Sequence, residues 1–195
     1  MEDLEYHQGN FQVKGTRVGI GIFDLCSRQS GNSISVKRKK ELTGRSWPNG
    51  CHVAEVEIDA ETGEVRLDRY VSVDDVGNTV NPMIVHGQVQ GGIASGLGQA
   101  VLERTEYDAS GQLLSGSYMD YALPRADDMP SLSGSLFEKA PCLTNPLGAK
   151  GTGEIGAVAG PPAIVHAVID ALAEKGITQV DMPLQPQKIW ECLNR

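Results

Sequence analysis

One carboxylate in this 195-residue sequence stands out by the residues around it. Glu154 closes the run Asn145-Pro-Leu-Gly-Ala-Lys-Gly-Thr-Gly-Glu154, in which Gly148, Gly151 and Gly153 fall within six positions. Glycine reaches backbone angles closed to other residues and lets a ligand approach the main chain, so this spacing suits a loop whose backbone touches a bound group. An acid fixed at the end of such a loop could serve as a general base. It could equally cap the helix that follows, because the positive end of a helix dipole stabilises a carboxylate. The residues alone leave both roles open. The loop lacks a Gly-Lys-Ser/Thr ending and follows no clear strand, so neither the triphosphatase nor the dinucleotide fingerprint applies.

Other residues that could do chemistry are isolated. Cys26, Cys51, Cys142 and Cys192 are widely scattered, which supports no zinc or redox motif and suggests reduced, buried thiols. His86 and His166 have no partner ligands nearby in sequence, so no metal site is expected. The acids Glu55, Glu57, Asp59, Glu61 and Glu64 read as the solvent face of a strand. Gln88 and Gln90 could bind a heterocycle or face water. The formal net charge of −8, from 25 acids against 17 bases, disfavours nucleic acid and anionic membranes as partners. Only Lys37-Arg-Lys-Lys40 is locally basic, and it reads as a solvated loop. The acidic start Met1-Glu-Asp-Leu-Glu is unlike a signal peptide, and no stretch reads as the roughly 18 apolar residues of a membrane span. A cytoplasmic location is expected.

The elements that must position Glu154 follow from periodicity. Leu4–Tyr6 and Phe11–Val13 read as strands around the turn Gln8-Gly9-Asn10, followed by an apolar-rich element over Val18–Leu25. Ser27–Arg45 is polar, basic and aperiodic. Cys51–Ile58 and Val65–Val73 alternate on either side of Asp59-Ala-Glu-Thr-Gly63, a hairpin signature. Apolar residues recur at helical spacing over Met83–Leu102, with glycines on another face. Five glycines at roughly 1 kcal/mol each make sense only if this helix packs closely against another backbone or a cofactor. Leu102–Asp108 and Gln112–Leu114 suggest a shorter hairpin, and Tyr118–Ala122 and Ser133–Phe137 read as connecting segments. Pro161-Pro162 reads as the start of a helix through Ala173, and Pro186–Leu193 as a closing helix. The division expected is residues 1–45, strands with an irregular basic loop, and residues 46–195, the domain that carries the site.

Four segments in order carry a resemblance: Pro48-Asn-Gly-Cys-His-Val-Ala-Glu-Val-Glu-Ile-Asp59, Val73 through Ala100, Gly116-Ser-Tyr-Met-Asp-Tyr-Ala-Leu-Pro-Arg-Ala-Asp127, and Asn145 through Leu172. Together they resemble the C-terminal part of the molybdenum-binding large subunit of the xanthine oxidase family. The branch they resemble holds the bacterial aldehyde oxidases and the carbon-monoxide-dehydrogenase-like enzymes. The resemblance implies an α/β (α+β type) fold of antiparallel hairpins packed with a few helices, the second molybdopterin-binding domain of those enzymes. It implies that Glu154 is the catalytic base beside molybdenum, with water as the oxygen source. It also implies that Gln88, Gly91, Gly92 and Ser95 lie against the pterin, and that the backbone of Lys150, Gly151, Thr152 and Gly153 faces its dithiolene side. Ser95 stands where the family usually has glutamine.

The cofactor so implied is molybdenum-molybdopterin, with a cytosine dinucleotide extension favoured by the bacterial character of the sequence. Family large subunits are several times longer, so an upstream part of the subunit is an implied partner. Iron-sulfur and FAD subunits are implied as further partners to remove electrons, since nothing here could hold those groups. Aldehydes, N-heterocycles and carbon monoxide all occur as substrates in the family. The other reading is a non-catalytic remnant or interaction module that keeps the fold without binding cofactor.

Overall fold

The computed structural model describes residues 3–39, 41 and 44–194. The chain separates between residues 41 and 42 into two units, described individually. In the first, β1 (Leu4–His7), β2 (Asn10–Val13) and β3 (Gly19–Gly21) form an antiparallel sheet in that order. Gln8 and Gly9 both have positive φ (46° and 82°), the two-residue turn whose twist matches the flanking strands. The rings of Tyr6 and Phe11 meet across this hairpin at 4.8 Å. The apolar-rich stretch after Val18 is not one element: β3 gives way to the short helix α1 (Ile22–Ser27). Beyond one 3-10 turn at Ser30–Asn32 the chain is irregular and exposed through Lys39, as its polar composition predicts; Lys40 lies outside the described residues.

The second unit is built on a long hairpin of β4 (Asn49–Ile58) and β5 (Val65–Asp75). Its turn is organised by Asp59, whose Oδ1 accepts from the amides of Glu61 (2.8 Å) and Thr62 (3.3 Å). These hydrogen bonds hold its carboxyl below the usual range, so Asp59 builds the turn rather than simply facing solvent. Glu55 and Glu57 do point outward, pairing with Arg69 and Arg66. The opposite face sends Leu67 and Tyr70 into the core.

A third strand, β6 (Leu132–Leu136), pairs in parallel with β5, so the sheet is not made of antiparallel hairpins alone. The sequence Leu-Ser-Gly-Ser-Leu has no intrinsic strand character, and only its neighbour creates it. The second hairpin expected over residues 102–114 reduces to one bridge, Tyr107 to Leu113.

Helix α2 (Pro82–Leu97) opens with Asn81, whose side chain accepts from the Ile84 amide, and widens into a π-type turn at Gly98–Leu102. Helix α3 (Ile155–Leu172) starts earlier than Pro161-Pro162 predicts; both prolines lie inside it. An internal proline removes a hydrogen bond and costs roughly 3 kcal/mol. Here the cost is offset by a buried stripe of Gly156, Gly160, Pro161, Ile164, Val168 and Leu172. Helices α2 and α3 cross through glycines on both sides: a Cβ on Gly92 would lie 2.8 Å from the Ala157 nitrogen, and one on Gly96 would lie 3.0 Å from the Gly160 Cα. Ile155–Lys175 is long and apolar enough to cross a membrane by length and composition, contrary to expectation, yet its buried stripe is committed to the core. Helix α4 (Pro186–Leu193) closes the core with Ile189, as its pattern predicts.

Candidate functional site

The glycine loop is fastened to the end of β5 before it reaches Glu154. Gly77 and Gly148 both have positive φ (66° and 67°) and approach so closely that a side chain on Gly77 would strike the Gly148 carbonyl. That carbonyl accepts from the amides of Asn78 (2.9 Å) and Cys142 (2.8 Å), and Asn78 Nδ2 donates to the Leu147 oxygen. Lys150 completes the attachment twice: its amide donates to the Val76 oxygen at 2.7 Å, and its Nζ donates to Asp75 Oδ2 at 2.6 Å. Burial pushes the Asp75 carboxyl up, but the Lys150 hydrogen bond and the Gly77 amide outweigh it and hold the group below its usual range. Lys150 was expected to offer its amide to a ligand. The structure uses both its donors within the protein.

Past Lys150 the backbone is released. Among the described residues, the amides of Gly151, Thr152 and Gly153 donate to no other group. The hydroxyl oxygen of Thr152 is buried and has no hydrogen-bond partner. Glu154 occupies the N-cap of α3, but its side chain makes no capping hydrogen bond and is exposed. Glu154 thus sits at the positive end of the α3 dipole without closing a hydrogen bond onto the first turn, so its carboxylate oxygens stay available.

Glu154 borders an open cleft of about 600 Å³ between the start of α3 and the start of β4. Thr152, Ile155 and Val158 line one part; Trp47, Pro48 and His52 line another. His52 was missed by the sequence reading and anchors a buried polar network. Its Nε2 pairs with Asp74 Oδ1 at 2.8 Å, its Nδ1 with Tyr70 OH at 2.9 Å, and Ser72 Oγ donates to Asp74 Oδ2 at 2.9 Å. Its signal was positional: His52 shares strand parity with the inward Ala54 and Val56.

On α2, Gln88, Gly91 and Ser95 lie along one exposed stripe, and among the described residues nothing beyond the helix's own adjacent backbone comes within 4 Å of where a Cβ would sit on Gly87 or Gly91. Gln88 adjoins the loop: a Cβ on Gly153 would lie 3.8 Å from its Oε1. Gly92 does not share this surface, being consumed by the contact with α3. The four cysteines are free, but only Cys142 is buried; Cys51 is exposed, Cys26 and Cys192 half-buried. Among the described residues, no three His, Cys, Asp or Glu side chains gather as a metal-ligand set. What the chain offers a ligand is free amides, an orphaned hydroxyl, an amide side chain and open glycine backbone.

Those groups suit a polar, multiply hydrogen-bonding cofactor, and similarity to known proteins says which. Residues 1–130 match the molybdopterin cofactor-binding domain family. This chain belongs to that family. The 6-hydroxypseudooxynicotine dehydrogenase complex subunit gamma of Paenarthrobacter nicotinovorans is 32% identical over 200 residues, covering 97% of this chain and 25% of that subunit. The carbon monoxide dehydrogenase large chain of Hydrogenophaga pseudoflava is 37% identical over 148 residues, covering 76% of this chain and 18% of its own length. The crystal structure of quinoline 2-oxidoreductase from Pseudomonas putida 86 superposes with a TM-score of 0.88 at 33% identity, over 100% of this chain and 26% of the other. This molybdopterin cofactor-binding domain thus has the α/β fold of molybdenum hydroxylases of the xanthine oxidase family, and spans about a quarter or less of those relatives.

Proposed function

We propose that this domain supplies the catalytic base, Glu154, and part of the cofactor wall of a molybdenum hydroxylase that oxidises aldehydes or N-heterocycles with water as the oxygen source. The observation that carries this reading is the state of Glu154. It is fixed by a clamped loop, makes no capping bond, and opens on a cleft beside three free amides and an unpartnered hydroxyl.

The orphaned Thr152 hydroxyl and the open backbone at Gly87 and Gly91 fit a molybdopterin. Gly151, Thr152 and Gly153 would hold it by backbone donors at the positive end of α3, and Gln88 by its side-chain amide. When bound, the cofactor supplies the two-electron redox chemistry and the site of oxygen transfer. Glu154 takes up the proton released from water at its carboxylate and passes it to solvent along the open side of the cleft. Ile155 and Val158 keep the far wall apolar. Lys150 and Asp75 keep the loop from drifting as the carboxylate changes charge. The rest of a large subunit would complete the pocket, and separate iron-sulfur and FAD subunits would take the electrons, with a cytosine dinucleotide form of the cofactor favoured.

The test is co-expression of this chain with an upstream large-subunit portion, followed by molybdenum and pterin analysis of the purified complex. Stoichiometric cofactor supports the proposal. A stable complex without pterin favours the non-catalytic module instead.

A further inference from the structure

Residues 116–127 carry part of the resemblance but no part of the cleft at Glu154. Their backbone is irregular up to the 3-10 turn at Ala126–Asp128, yet it is fixed. The Ser117 carbonyl accepts from the amides of Asp120 (3.0 Å) and Tyr121 (2.9 Å), and Ser117 Oγ donates to Asp120 Oδ2 at 2.7 Å. Tyr121 OH donates to Glu103 Oε2 at 2.7 Å, which ties this segment to the residue closing the π-type turn after α2. The apex holds Tyr118 and Met119, 87% and 93% exposed. Beside them Leu102, Leu123 and Pro124 help line a hollow of about 450 Å³ that shares no residue with the Glu154 cleft. Single apolar side chains in water are ordinary, but two in succession on a hydrogen-bonded turn beside a partly apolar hollow mark a contact surface. Tyrosine and methionine are enriched at interfaces, and a turn that is already ordered loses little freedom on docking.

We propose that Tyr118 and Met119 dock into an apolar pocket with a cationic rim on the upstream portion of a large subunit, while a side chain of that portion fills the hollow. The occupant follows from the amount of chain outside this domain and from the charge around the patch. Quinoline 2-oxidoreductase superposes over 100% of this chain, which accounts for only 26% of the other. A single polypeptide containing this fold therefore carries a large remainder, and the apolar face bare here is surface for it to cover. Asp120, Asp127 and Asp128 against Arg125 make the lining of the hollow acidic. Two copies of this chain meeting there would set like charges against each other, because a twofold contact joins a patch to itself. Basic groups on a different surface would complement it. The inference rests on the partner named in the proposed function, but not on a bound cofactor.

The test measures binding of the full chain to the upstream large-subunit portion by calorimetry, with peroxide oxidation of Met119 followed by mass spectrometry. The double variant Tyr118→Ala, Met119→Ala should weaken binding by about thirtyfold or more, the loss expected of a hot spot. Its melting temperature should match wild type, because both side chains stand in water in the free chain. Tyr118→Phe with Met119→Leu keeps the apolar surface and should bind within about threefold of wild type. Oxidation of Met119 should slow by about tenfold or more in the complex as the thioether leaves solvent. Undiminished affinity of the alanine variant, or equal oxidation of Met119 in the free and bound chain, would overturn the proposal and leave the proposed function standing. Self-association of the chain alone that the alanine variant abolishes would assign the face to a second copy and overturn it too. Absence of any complex with the wild-type chain would overturn both readings, whereas a complex without pterin bears only on the proposed function.

Discussion

The ammonium of Lys150 donates to Asp75 Oδ2 at 2.6 Å, joining the glycine loop to the end of β5 across 75 positions of sequence. Both side chains are nearly buried, at 10% and 12% exposure. Removing one partner leaves the other charge poorly solvated, and Asp75→Ala or Lys150→Ala should cost roughly 2 kcal/mol, less than the ~3–5 kcal/mol of a fully buried pair. The Asp75 carboxyl is held below its usual range in the folded chain, so its contribution is complete above the unfolded carboxylate pKa of about 3.9 and is lost as pH falls through the lower folded value. Chemical denaturation between pH 6 and pH 2 should show a steeper acid loss for wild type than for Asp75→Asn.

The glycines divide into two populations that substitution should separate. A Cβ on Gly156 would collide with the Val89 carbonyl and lie 2.6 Å from the Ile93 nitrogen, so Gly156→Ala forces α2 and α3 apart. Overpacking of this kind costs about 1–3 kcal/mol, and thermal melts should show it. Gly91 sits mid-helix with open space above it, so Gly91→Ala should stabilise the fold by about 0.5–1 kcal/mol through helix propensity. The added methyl stands on the surface proposed to face the pterin, and cofactor content of the co-expressed complex should fall even as the melting temperature rises.

How much of this was legible beforehand depends on whether a feature was local. The β4–β5 hairpin declares itself by alternation and a glycine-ended turn, and α2 by its 3.6-residue period and Asn81-Pro82 start. The close approach of α2 was foreseen, but not that Gly92 and Gly96 are spent on α3 while Gly87 and Gly91 stay open, because the division depends on which way the helix rolls. The early start of α3 contradicts proline propensity and exists only because Gly156 and Gly160 find partners in α2. The parallel strand β6 is induced by β5. Glu154 is marked in the sequence by its glycines, and its place beside an open cleft follows from the loop they form. Trp47 and His52 come to line the cleft through the placement of β4 against α3, which no single segment encodes.

The network around His52 is satisfied as a whole. Burial and the charge of Asp74 push the Tyr70 phenol well above its ordinary range, so its proton is retained. With Tyr70 donating to Nδ1, His52 carries its proton on Nε2 and donates it to Asp74, whose second oxygen accepts from Ser72. The ¹⁵N shifts of His52 should therefore report the Nε2–H tautomer. Asp74→Ala leaves His52 and Ser72 without acceptors inside the sheet and should cost about 2–4 kcal/mol in urea denaturation, against about 1 kcal/mol for Tyr70→Phe.

Glu154→Gln separates chemistry from architecture more cleanly than any other change. The side chain is exposed and makes no capping hydrogen bond, so exchanging one oxygen for an amide forfeits only its attraction to the α3 dipole and should move stability by less than about 1 kcal/mol. The glutamine keeps the shape and hydrogen-bonding reach of the carboxylate but cannot accept a proton at neutral pH. In a complex co-expressed with the rest of a large subunit and loaded with cofactor, turnover should drop by about 10²–10⁴-fold, the usual contribution of a positioned base. Molybdenum and pterin content should stay unchanged. A Glu154→Gln complex that retained wild-type turnover would remove Glu154 from the chemistry and leave the glycine loop as a cofactor cradle alone.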